Sequence, residues 1–206
     1  MSEAIIHGII LAFGLIIPLG VQNVFVFNQG ASQPNIWRSA PVVLTASICD
    51  TLLILIAVQG VSLVLLTFSW LTTTLYMIGF FFLMYMGWVI WRSDPSNDVK
   101  QEKSMPLKNQ IIFATSVSLL NPHAILDTIG VIGTNSIQYI GSEKWAFTLA
   151  TIIVSWIWFI SLAFAGKFLK GLDSTGKTIT VLNKFSGLII WGVALYMLKQ
   201  VIFLTN

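Results

Sequence analysis

Charge is what this chain has least of. Only 9% of its 206 residues are Asp, Glu, Lys or Arg, while 56% are hydrophobic; an average soluble domain carries roughly 25% charged residues. A water-facing surface cannot be built from so few ionic groups, which excludes a soluble globular domain. A single cysteine, Cys49, excludes an internal disulfide and paired-thiol chemistry. The opening stretch "MSEAIIHGIILAFGLIIPLG" has neither a basic n-region nor an A-x-A cleavage site, so it reads as a retained first span rather than a signal peptide. No metal or cofactor motif is present. The net charge of +3 arises in connecting segments, which makes it evidence about orientation and not about a nucleic-acid partner.

What the chain does have is a succession of uncharged runs long enough to cross a bilayer, about 20 residues at 1.5 Å rise each. They predict spans at 5–27, 40–66, 71–91, 110–133, 146–166 and 184–204. A β-barrel would show alternating segments of about ten residues, and these runs are longer and apolar on every face. The expected fold is therefore an all-α membrane protein of six transmembrane helices. Nine basic residues (Arg38, Arg92, Lys100, Lys103, Lys108, Lys167, Lys170, Lys177 and Lys184) fall in or beside the first, third and fifth connections; Lys144 and Lys199 belong to the other side. The positive-inside rule then puts those connections in the cytoplasm and both termini outside. The expected setting is the cytoplasmic membrane of a bacterium, with lipid as a partner and room for a homo-oligomer.

The polar linker at 93–109 divides the chain into 1–92 and 110–206, each with three spans. An odd number of crossings starts the second half from the opposite face, so similar halves would be inverted repeats. "PLGVQNVFV" (18–26) and "PHAILDTIG" (122–130) each open on a proline within the first span of a half, and each places a polar residue five positions on, Asn23 and Asp127. Pro18 and Pro122 cannot donate to the carbonyls of Gly14 and Ser118, so each span loses a rung. Gly20 and Asn121 flank the two breaks. Broken backbone at membrane depth is tolerated only against protein or a wet cavity.

Asp50 and Asp127 sit in spans where an aspartate costs roughly 2.5–3.5 kcal/mol to insert. His123, Gln22 and Asn23 complete a candidate site. No Lys or Arg lies deep enough in a span to neutralise the two acids, which points to a mobile counter-charge, a cationic solute. Two aspartates also admit an intramembrane aspartyl protease, but the G-x-G-D signature expected of one is missing. "GLDSTGKT" (171–178) satisfies the phosphate-loop pattern G-x-x-x-x-G-K-[ST]; joining two lipid-length spans, it reads as a connecting turn.

At these residues the sequence resembles the LysE family of amino-acid exporters, and most closely the lysine and arginine exporting branch. "PLGVQNVFVFNQG" (18–30), "ICDTLLI" (48–54), "NPHAILDT" (121–128) and "TIIVSWIWFISLA" (151–163) carry the likeness. The neutral amino-acid branches more often have another residue where His123 stands. Val21 replaces a second proline usual in the family. The resemblance implies a secondary transporter, not an enzyme, that exports basic amino acids and uses Asn23, Asp50 and Asp127 for substrate or coupling. Proton antiport is the favoured coupling, with neutral amino acids or another small cation as alternative cargo.

Overall fold

The computed structural model describes residues 1–17, 20–59, 69–92, 105–172 and 177–205. Every regular element among them is helical: α1 (Ser2–Ile16), α2 (Val21–Ser32), a 3-10 turn (Ile36–Ser39), α3 (Ala40–Val58), α4 (Ser69–Arg92), α5 (Leu107–Leu119), α6 (Pro122–Asp127), a π turn (Thr128–Gly133), α7 (Thr134–Ser136), α8 (Ser142–Leu172) and α9 (Lys177–Thr205). Ile36–Val58 and Ser142–Gly171 are long and apolar enough to cross a membrane, and α1 with α2 makes a third span if the bent pair counts as one. α4 and α9, at 24 and 29 residues, match the bilayer in length.

The first predicted span is two helices whose axes diverge by 79°. Gly20 is extended (φ −78°, ψ 171°) and starts α2; Pro18 lies outside the described residues. The break is sharp even with Val21 in place of a second proline. The fourth predicted span breaks at Asn121, which has φ −93° and ψ 95°, the region a following proline imposes by clashing with the α conformation. Pro122 then occupies the first turn of α6, where its missing N–H leaves no helical bond unmade. α8 and α9 extend past the predicted 146–166 and 184–204, because helical hydrogen bonds continue beyond the point where the first polar side chain ends an apolar run. Most of the linker at 93–109, and residues 173–176 of the phosphate-loop look-alike, lie outside the described residues. The element before that motif is a helix, not the strand a phosphate loop requires.

α8 is the hub: it packs on α1, α2 and α3. α3 also packs on α5 and the π turn, and α4 pairs with α9. In lipid no hydrophobic effect pulls helices together, so close approach of small residues has to hold them. Gly30 lies against Ala163, and Gly166 against Phe27 and Ala31. Gly8 lies against Phe147 and Ala150, and Gly87 against Trp191. Trp191 stacks on Trp91 at 5.4 Å between ring centroids and donates to the Met84 carbonyl at 3.2 Å, so it is a packing residue. Trp37 and Trp145 stand exposed near helix ends, as interfacial anchors do.

The two ends of the bundle are tied differently. At one, the Met1 amino group meets Glu143 at 2.5 Å and His7 Nδ1 meets the Tyr139 hydroxyl at 2.9 Å. At the other, Lys167 Nζ donates to the carbonyls of Gln33 (3.0 Å) and Pro34 (2.7 Å), and Lys170 Nζ to that of Ser32 (3.4 Å). These cations satisfy backbone acceptors where α2 ends.

Candidate transport site

Both helix breaks open onto one cavity of about 330 Å³, the lower end of the range for small-ligand pockets. Its walls come from the end of α1, the start of α2, α3, the α5–α6 junction, the π turn and α8. Gly20, Gln22, Asn23, Asp50, Asn121 and Asp127, six of the residues singled out from sequence, line this single space. Pro122 and His123 form the first turn of α6, but their side chains lie outside the described residues. Two carboxylic acids face this chamber, and among its described lining residues there is no Lys or Arg.

Asp50 is held from two directions. Gln22 Nε2 donates to Oδ1 at 3.2 Å, and Ser155 Oγ donates to Oδ2 at 2.8 Å. One residue further along both helices, Trp156 Nε1 donates to Thr51 Oγ1 at 3.0 Å, so Trp156 ties α8 to α3. Asn23 answers the backbone problem raised by the break: its Nδ2 donates to the Ile16 carbonyl at 2.6 Å, capping the end of α1. Asn121 is buried, and its Oδ1 has no hydrogen-bond partner. Phe159 of α8 also lines the cavity and belongs to an apolar cluster with Phe25 and Phe113, whose rings are 4.0 Å apart.

Sequence reasoning missed Thr151 and Ser155, which line the cavity from α8. Their spacing of four was the available signal: two small hydroxyls on one helical face of an apolar span. Among the described residues no group of three His, Cys, Asp or Glu could hold a metal ion.

Asn23→Ala is expected to destabilise the chain by about 1–3 kcal/mol, because the Ile16 carbonyl loses its side-chain donor. Thermal unfolding of the detergent-purified protein measures this. An unchanged midpoint would show that the cap carries no weight.

A helical, bilayer-length assembly that encloses an acid-lined chamber between two broken helices defines a membrane transporter of small solutes. The chain belongs to the LysE type translocator family, whose profile matches residues 13–201. It is 55% identical over 194 residues to YisU of Bacillus subtilis (strain 168), a protein provisionally assigned to amino-acid transport, covering 94% of this chain and 88% of that one. It is 32% identical over 204 residues to the arginine exporter protein ArgO of Pectobacterium carotovorum subsp. carotovorum (strain PC1), covering 97% and 98% of the two chains. ArgO of Escherichia coli (strain K12) is 31% identical over 198 residues, covering 94% and 92%. No solved structure matches. The chain is thus a multi-pass membrane transporter and not an enzyme, which removes the aspartyl protease alternative.

Proposed function

We propose that this transporter exports basic amino acids, lysine and arginine, across the cytoplasmic membrane in exchange for protons. The observation that carries the reading is the pair of acids, Asp50 and Asp127, in one cavity whose described walls hold no Lys or Arg. A cationic side chain is the electrostatic complement of two acids facing one cavity. The ArgO relatives, named as arginine exporters, favour the same cargo. Driving a +1 solute outward opposes an inside-negative potential worth roughly 2.3 kcal/mol per 100 mV, so export needs either a large concentration ratio across the membrane or exchange for an incoming cation. A proton is the simplest, because each carboxylate can carry one.

Six spans in two inverted halves, 1–92 and 110–206 about the 93–109 linker, give this cycle its geometry. The helix pairing supports that arrangement. Exchanging the first three spans for the last three turns the α1/α2–α8 contact into the α5–α3 contact, and returns α3–α8 and α4–α9 to themselves. Rocking of one half on the other would expose the cavity alternately. Met1 and Glu143 share one end, and Ser32–Pro34 share the other with Lys167 and Lys170. This fits termini outside and the lysine-rich connections in the cytoplasm.

Vesicles preloaded with radiolabelled arginine, lysine, threonine or a divalent metal provide the test. Arginine and lysine are expected to leave at least about tenfold faster than the other two, and acidifying the receiving side is expected to speed them. Equal efflux of all four would overturn the cargo assignment, and rates indifferent to the pH gradient would overturn proton exchange.

A further inference from the structure

Ser155 stands outside the motifs that mark the acids and helix breaks, yet it makes the shorter of the two side-chain bonds to Asp50, 2.8 Å against 3.2 Å from Gln22. The two donors come from different halves of the chain. Gln22 precedes Asp50 by 28 positions, and Ser155 follows it by 105. We infer that Ser155 is a positioning residue for the transport reaction: its hydroxyl holds the Asp50 carboxylate in the charged, accepting form and ties that charge to the packing of α8 on α3.

The chemistry of the hydroxyl suits the role. A serine both donates and accepts. Toward ionised Asp50 it donates. Toward protonated Asp50 the same oxygen can accept the carboxylic O–H, but that neutral bond is weaker than the charge-assisted one, so the contact favours the charged form. Alanine offers neither. Trp156 and Thr51 hold the same two helices together one residue away without touching the carboxylate, which separates helix packing from control of the acid.

The ionisable groups around Asp50 are few. Cys49 adjoins it on α3, and Asp127 shares the cavity from α6. The side chain of His123 lies outside the described residues. α2 and the π turn carry no ionisable side chain, and the 3-10 turn carries Arg38. α8 has Glu143, Lys144, Lys167 and Lys170 only toward its two ends; α5 has Lys108 in its first turn, and α1 has Glu3 and His7 in its first two.

The test needs no cargo. In the full-length protein in lipid nanodiscs, the infrared C=O band of protonated Asp50 is identified as the band lost in Asp50→Asn, then followed with pH. Removing a hydrogen bond to the charged form favours the protonated one, so Ser155→Ala is expected to move the midpoint upward by about one pH unit or more. Ser155→Thr is expected to restore it, and Trp156→Phe to leave it in place. Should Ser155→Ala fail to fold, Ser155→Cys, a weaker donor of similar size, is expected to shift the midpoint the same way by less. A midpoint unmoved by loss of the hydroxyl, or moved equally by Trp156→Phe, overturns the inference. Neither result bears on which solute is carried; the inference rests on the proposed role of Asp50, so retained arginine export by Asp50→Asn would take both Asp50 and Ser155 out of the transport reaction, whereas equal efflux of arginine and threonine would overturn the cargo reading alone.

Discussion

Asp50→Asn is expected to cut arginine and lysine export by at least about 30-fold while leaving the folded protein nearly as stable as before. The substitution keeps the shape of the side chain. Its remaining oxygen still accepts from Ser155, and its new amide faces Gln22, whose own amide can turn to present oxygen. Both contacts therefore survive, and the structural cost is small. What disappears is the charge. Losing one partner of a desolvated, hydrogen-bonded charge pair costs about 2–5 kcal/mol, and each 1.36 kcal/mol is tenfold. Export of radiolabelled arginine from loaded vesicles, beside thermal unfolding of the same preparation, separates the two effects. Export within a few-fold of wild type would remove the carboxylate from the mechanism; a large drop in unfolding temperature would make it a structural acid.

Gly166→Leu is expected to act in the opposite sense, on the fold before the function. A side chain at Gly166 would drive into the Phe27 carbonyl and the Ala31 amide of α2. Those are backbone atoms of a packed helix, so no rotamer change relieves the collision and α2 itself must move away. Overpacking of this kind costs about 1–3 kcal/mol and occasionally more. At the upper figure the unfolding midpoint of a chain this size falls by roughly 6–12 °C. Because α2 carries Gln22 and Asn23 into the cavity, export should fall as well. Gly192 is the control: nothing lies within 4 Å of a Cβ placed there. Gly192→Ala is expected to stabilise the chain slightly, since alanine loses less entropy in a helix. If both substitutions shift the midpoint alike, the close crossing of α2 and α8 is not what holds the hub together.

The helical class, the acids and the helix breaks were legible because each has a local cause. Uncharged runs of bilayer length require helices, since no other open structure satisfies its backbone in lipid. A proline before a helical turn forces the preceding residue out of the α region, and Asn121 is found there. Asp50 and Asp127 were conspicuous because carboxylates are expensive in hydrocarbon. Hydropathy counting did less well at helix ends, since α8 and α9 run on past the last apolar residue.

Other features had no local signature. That Asn23 would cap the Ile16 carbonyl depends on how sharply the chain turns between them. That Ser155 would meet Asp50 depends on the rotation and depth at which α8 packs on α3, two helices that bring together residues 105 positions apart. Composition and spacing alone determined that this chain is helical, lies in a membrane, and buries acids beside interrupted helices, because each of those follows from the solvation of single residues and their nearest neighbours. Only the tertiary structure decided which donors those acids meet and that they share one cavity, because a side-chain hydrogen bond is made over about 3 Å and helix packing brings together groups far apart along the chain.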